Sequence, residues 1–485
     1  MSFISLEFVV FMVVIVPLYF LIPRRFSGLL LLVASYYFYT RWNADYIVLI
    51  MFSTLVDYFI GNFLSASQDG RENLKFFRRF LLLISVVTNL GVLFIFKYYN
   101  FYVDSVTTLA TMADIPVSVE AIDVLLPVGI SFYTFQSMAY TIDIYRGNIK
   151  AESSLIRFAA YIAFFPQLVA GPIERASNLL PQFKEKHRFD VDRVVSGLRI
   201  ILWGAFKKVV IADRLAIFVD HIYANPEGFG GGTMLLATVF FGIQIYCDFS
   251  GYSDIAIGTA RIIGFNLMEN FRFPYFALSI RDFWRRWHIS LSTWFRDYVY
   301  FPLGGNRVSL IRNLFNLFIV FLISGLWHGA AWTFVIWGAV HGIFIALETL
   351  FDRLNIKLPS IKLLRWFYTF GVVTLLWAFF RATDVTDVFY MFTHLFDTTG
   401  TGLDPLSAYT TTYFEPIVEF GISIAVIVIL FFVDWLDKDY AIIQNFGKAP
   451  VFIKYPAYYF LAFSVIVSYM LYGLNLEPTF IYFQF

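Results

Sequence analysis

Apolar segments of helix-spanning length recur from one end of this 485-residue chain to the other, and they constrain its fold more than any other feature. A membrane-crossing helix needs about 20 mostly apolar residues. Such segments lie near 4–22, 28–40, 46–64, 80–98, 125–145, 198–222, 234–262, 313–327, 330–350, 365–381, 416–434 and 456–473. The composition agrees: 59% of residues are hydrophobic and only 15% are charged, against roughly 25% charged in an ordinary soluble domain. These values exclude a disordered chain, a nucleic-acid-binding arm and a disulfide-stapled secreted domain. Cys247 is the only cysteine, so the chain has neither an intrachain disulfide nor a cysteine-based zinc site. No alternating ten-residue strand pattern suggests a barrel. The expected fold is an all-α polytopic membrane protein of about 10–13 transmembrane helices, forming one domain over residues 1–485. Met1 to Phe8 carries Glu7 and no Lys or Arg, so the first apolar segment reads as a retained membrane helix rather than a signal peptide.

Net charge is only +1, but its distribution carries a direction. Residues 66–79 hold Arg71, Lys75, Arg78 and Arg79, whereas 100–124 hold Asp104, Asp114, Glu120, Asp123 and no basic residue. By the positive-inside rule the first loop is cytoplasmic and the second external. On the same rule 175–199 and 437–454 face inward and the acidic stretch 382–415 faces outward. Twelve spans then leave both termini outside.

Two stretches do not read as simple spans. Residues 155–174 are apolar yet contain Pro166, Gly171 and Pro172, which suits a re-entrant segment. Residues 270–312 carry seven basic and two acidic residues among many aromatics, as an amphipathic or re-entrant segment would.

Two of the six histidines have unusual neighbours. His288 ends the run Trp284-Arg-Arg-Trp-His288, and His328 lies in Trp327-His328-Gly329 between two apolar segments. An ionisable group at membrane depth is costly and marks a functional candidate. Neutral imidazole is also the side chain best suited to take a proton near neutral pH. The competing reading for each is plain: a buried histidine bonded to a carbonyl, or an Arg- and Trp-rich segment anchored to headgroups. For His341, thirteen residues after His328, a packing role is favoured. Trp284, Trp287 and Trp294 read as interfacial belt residues and Cys247 as a small buried residue, while Asp248 and Asp254 would order a tunnel or hold structure, with structure favoured.

These segments, the first running on from Trp284 to Gly305, with Asp248–Gly258, Leu126–Gln136, Phe165–Glu174 and the terminal Phe480–Phe485, resemble the membrane-bound O-acyltransferase family. More narrowly, they resemble its bacterial branch, which includes the alginate O-acetyltransferase membrane subunit and the proteins of peptidoglycan O-acetylation and teichoic acid D-alanylation. The resemblance implies a helical fold around a central tunnel, with His328 as catalytic histidine and His288 as its second member. It implies acetyl-CoA as acyl donor on the cytoplasmic side, with no metal or bound cofactor. The acceptor would be an extracytoplasmic polysaccharide such as alginate, served directly or through a separate periplasmic acetyltransferase of serine-hydrolase type. Localisation would be the bacterial inner membrane, in contact with lipid and without nucleic acid.

Chemically, a thioester is already activated, so the protein has to supply a base, oxyanion stabilisation and a dry site. His328 is the expected base. His288 orients the thioester or donates to the tetrahedral intermediate, and an acyl-histidine intermediate stays open. The phosphates of CoA call for basic contacts, for which Lys207, Lys208, Arg281, Arg285 and Arg286 are candidates, with lipid-headgroup anchoring as the alternative. The same fold would serve teichoic acid D-alanylation or peptidoglycan O-acetylation. A transporter without chemistry is the competing class, and it lacks the internal repeat expected there.

Overall fold

Hydrocarbon offers no water to a backbone N–H or C=O, so a membrane chain satisfies these groups within helices. The computed structural model obeys this: helices are the only regular elements among the described residues. It describes residues 1–67, 72–117, 119–169, 171–356, 360–397, 405–409, 412–440, 442–473 and 480–481. Arg71 and the final four residues of the Phe480–Phe485 segment lie outside that set. Among the described residues, eight helices are long and apolar enough to cross a membrane: Ile47–Ala66, Leu74–Met112, Gly231–Ile263, Leu310–His328, Trp332–Arg353, Lys362–Arg381, Pro416–Asp439 and Val451–Gly473. The apolar helices Leu6–Leu21 and Leu155–Leu168 are shorter. The chain divides into two units, 1–197 with 259–268 and 198–258 with 269–485.

The first unit contains α1 (Leu6–Leu21), α2 (Arg24–Thr40), α3 (Ile47–Ala66), α4 (Glu72–Leu93), α5 (Tyr99–Met112), α6 (Ile130–Arg146), α7 (Leu155–Ile162), α8 (Phe165–Leu168) and α9 (Ala176–Gln182). A π-helical stretch, Phe94–Tyr98, joins α4 to α5, so the helix runs on into the expected loop at 100–124. Asp104 is the one charge within Tyr99–Met112, and no glycine or proline follows Phe94 until Pro116. Conversely, α6 starts five residues later than its hydropathy suggests. Gly129 turns the chain there at φ 75° against the Leu168 carbonyl, where a side chain does not fit.

The break between α7 and α8 is buried and polar-satisfied. The Gln136 and Gln167 amides donate to the Tyr161 carbonyl at 2.8 and 3.0 Å. Asp57 on α3 ties α4 and α6 together, accepting from Ser85 (2.5 Å), Asn89 (2.7 Å) and Ser137.

The second unit contains α10 (Val191–Ala205, from Leu198), α11 (Asp213–Ala224), α12 (Gly231–Ile263, to Gly258), α13 (Ile280–Trp284), α14 (Ile289–Phe295), α15 (Leu310–His328), α16 (Trp332–Arg353), α17 (Lys362–Arg381), α18 (Val385–Thr393), α19 (Pro416–Tyr440), α20 (Ile442–Asn445) and α21 (Val451–Ser468). A π-helical stretch, Phe206–Ala212, connects α10 to α11. A hairpin of α15 on α16 builds the site. Gly325 and Gly338 face one another so closely that a Cβ on Gly338 would stand 2.9 Å from Gly325 Cα and also strike the Phe321 carbonyl. Small residues that let helix backbones touch are the usual means of association where lipid weakens the hydrophobic drive.

Gly338→Ala should therefore lower the thermal midpoint of the detergent-purified protein, by the ~1–3 kcal/mol typical of overpacking. Gly421→Ala on α19, with open space around it, should leave the midpoint unchanged or raise it.

Candidate active site

His328 is the last residue of α15, and Gly329 ends the helix in extended backbone (φ −154°). A Cβ at 329 would collide with the Phe334 ring, so glycine is needed for the turn to fold back on α16. That turn buries the imidazole at 2% exposure among Trp327, Trp337 and Phe380, with ring centroids at 5.0, 5.1 and 5.4 Å.

His288 reaches the same place from a different element. It precedes α14, in a left-handed conformation (φ 42°) that a non-glycine residue rarely adopts. The geometry is held by hydrogen bonds from Ile289 N–H to the Asn270 carbonyl (2.9 Å) and from Ser292 N–H to the His288 carbonyl (3.0 Å). The ring is fully buried, 4.7 Å from Phe249 and 6.3 Å from His328. Burial alone lowers its pKa to about 3, so it is neutral at physiological pH. The two histidines, 40 positions apart in sequence, thus form one pair.

Asn270 joins them, and no local sequence pattern marks it. Its side-chain oxygen lies 3.1 Å from His288 Nδ1 and accepts from Ser290 N–H (3.3 Å) and Ser290 O–H (2.9 Å). The contact spans 18 positions, across α13, and has no helical or strand period to reveal it.

Three of the seven arginines of the 270–312 stretch line a cavity of about 460 Å³ beside this pair. Arg281, Arg285, Arg296 and Arg353 stand on its wall with Trp284 and Ser324. Ser324 is one helical turn before His328 on the same face of α15. Arg281 pairs with Asp352 at 2.8 Å, while Arg285 and Arg353 are exposed. Arg296 and Arg353 were not singled out in the sequence, because a cationic cluster drawn from separate elements has no linear signature.

The remaining basic candidates are held elsewhere. Arg286 pairs with Asp282 within its own turn, at 2.9 Å. Lys207 and Lys208 are buried on the π-helical stretch, Lys207 on Asp254 (2.7 Å) and Ser250 (2.9 Å), Lys208 on Asp213 (2.8 Å) and Asp248. Asp248 also accepts from Ile481 N–H at 2.9 Å. The two carboxylates thus have the structural partners expected of them, and Cys247 is buried beside them.

Trp284, Trp287 and Trp294 correct the expectation of an interfacial belt: all three are buried. Trp284 packs on Trp337 and His341, Trp287 on Phe271 and Trp377, and Trp294 on Tyr298. Trp284 donates to His341 Nδ1 at 3.3 Å, and His341 packs 4.8 Å from Trp337. His341 is therefore a packing residue of the same aromatic shell. His187 pairs with Tyr19 (2.7 Å), and His394 with the Tyr390 carbonyl (3.0 Å). Among the described residues, no group of three or more His, Cys, Asp or Glu side chains gathers as metal ligands.

Comparison with known proteins matches this architecture. Residues 31–392, which include both histidines, match the family model described as MBOAT, the membrane-bound O-acyltransferase family. A probable alginate O-acetylase of Azotobacter vinelandii is 43% identical over 386 residues, covering 80% of this chain and 76% of that protein. A peptidoglycan O-acetyltransferase of Helicobacter pylori is 34% identical, covering 79% and 76%. A teichoic acid D-alanyltransferase of Bacillus subtilis is 30% identical, covering 50% and 64%. With its paired histidines, helical fold and matched span, the chain belongs to the membrane-bound O-acyltransferase family.

Proposed function

We propose that this multi-pass membrane acyltransferase takes acetyl from cytoplasmic acetyl-CoA and passes it to an extracytoplasmic polysaccharide of the alginate type. The observation that carries the reading is the buried His288–His328 pair, one helical turn from an arginine-lined cavity. Arginine is suited to a ligand bearing several phosphates, since its planar fork bonds phosphate oxygens in pairs. Arg281 and Arg285, joined by Arg296 and Arg353, are the phosphate contacts in this reading. Lys207 and Lys208, already committed to carboxylates, brace α12 instead. Alginate is favoured over peptidoglycan and teichoic acid by the identity gradient of the relatives, 43% against 34% and 30%. A separate periplasmic acetyltransferase of serine-hydrolase type completes delivery where the polymer does not reach the pair itself. The sorted loop charges support a bacterial inner-membrane location with 270–312 on the cytoplasmic side.

Chemically, the acceptor hydroxyl gives its proton to His328 as its oxygen attacks the thioester carbon. The C–S bond of the tetrahedral intermediate then breaks, and the thiolate recovers the proton to leave as free CoA. The net change is one ester formed and one thioester consumed. The surrounding indole and phenyl rings keep water from the thioester and strengthen each polar interaction inside.

His328→Ala should abolish acetylation, read as acetyl released from the cell-surface polymer and as CoA release by purified protein, while insertion and the thermal midpoint persist. His288→Ala should reduce activity strongly, though less completely. Full activity of His328→Ala would remove His328 as the base.

Arg285→Ala and Arg353→Ala should each raise the KM for acetyl-CoA about tenfold. That is the loss of one charge-assisted contact, worth ~1.5 kcal/mol. An unchanged KM in both would detach the cavity from donor binding.

A further inference from the structure

We infer that Asn270 is a positioning residue that holds His288 in the tautomer protonated at Nδ1, so that Nε2 presents a lone pair to the reaction. This rests on the reading of the His288–His328 pair as the reacting centre and deepens it. The orientation of the Asn270 amide follows from its other partners. The same oxygen that meets His288 Nδ1 at 3.1 Å receives the Ser290 backbone N–H at 3.3 Å. A backbone N–H only donates, so this atom is the amide oxygen and not its nitrogen. An amide oxygen only accepts, so His288 Nδ1 carries the hydrogen. The opposite ring nitrogen of a neutral imidazole then has none.

The surrounding structure locks this arrangement. The Asn270 backbone carbonyl accepts Ile289 N–H at 2.9 Å, so the asparagine grips both flanks of His288 and its ring together. The same grip supports the left-handed backbone at His288, which costs free energy and persists only where surrounding contacts over-determine it. Asn270 is itself buried, with its amide nitrogen 3.4 Å from Ser253 Oγ on α12.

One expected role is thereby decided. A neutral His288 with its hydrogen committed to Asn270 has no N–H at Nε2 to give an oxyanion. It enters the reaction as an acceptor. The proton lost by the acceptor hydroxyl is held by the imidazole pair while the C–O bond forms and the C–S bond breaks, and it is returned to the departing thiolate. The rings facing His288 are Phe249 of α12, Phe271 of the preceding loop, and Trp327 and His328 of α15. A charge introduced at 270 therefore acts on the pair directly, through the Asn270–His288 contact.

Two measurements test this. The first needs no turnover. In protein labelled with 15N-histidine, the signal lost in His288→Asn should show a protonated Nδ1 and an unprotonated Nε2; the reverse tautomer overturns the assignment. The second is kinetic. Asn270→Ala should lower kcat on the order of 100-fold with little change in the KM for acetyl-CoA. Asn270→Asp keeps the acceptor but adds a charge that stabilises the imidazolium. It should recover activity over Asn270→Ala at high pH, and move the acid limb of its kcat profile upward by about one pH unit or more. A profile for Asn270→Asp that superimposes on the unsubstituted protein overturns the proposal, even if Asn270→Ala fails to fold. If the tautomer is as assigned but His288→Ala keeps full activity, the functional reading of the pair fails and the positioning assignment stands.

Discussion

His328 owes its place to a contact between two backbones. Gly325 and Gly338 bring α15 and α16 together with no side chain between them, and Gly329 then folds the chain sharply under the Phe334 ring. Because the helices touch, the end of α15 sinks into the aromatic shell of Trp327, Trp337 and Phe380 instead of ending at a lipid surface. The shell excludes water, and water exclusion is what makes a neutral imidazole both costly to charge and effective as a base.

Several charged groups elsewhere are buried in pairs. Lys207 and Lys208 meet Asp254, Asp213 and Asp248; Arg214 meets Glu419; Asp57 collects three donors. A buried ion pair is weak evidence for stability, because desolvation offsets much of the attraction. Removing one partner is expensive, however, so each pair fixes the register of the helices that carry it. The π-helical stretch Phe206–Ala212 turns two adjacent lysines, which an ordinary surface helix would leave in water, inward toward separate carboxylates. Their burial separates them from the arginines of the cavity, although in sequence all five candidate cations look alike.

Much of the helical architecture was legible because its signal is local. A run such as Ile47–Ala66 has one physical solution in a bilayer, and α15, α16, α17 and α19 lie close to their expected positions. Errors arose where hydropathy and backbone geometry diverge. Residues 99–112 continue a helix because no breaker precedes Pro116, and α6 waits for Gly129 to turn the chain. The tryptophans of the 284–294 stretch were misread for a related reason. Alternation of Trp with Arg marks an amphipathic segment, but not whether its apolar side meets lipid or protein.

The sequence by itself determined a helical membrane protein, the sorting of charge among its segments and the two histidines that a bilayer would otherwise exclude. Each depends on residue type or on neighbours within a few positions. Tertiary structure alone decided that His288 and His328 stand 6.3 Å apart, that Asn270 holds His288, and that Arg296 and Arg353 join Arg281 and Arg285 around one cavity. These relations join elements tens of residues apart, and their geometry is set by how helix backbones close on one another, which no local spacing encodes.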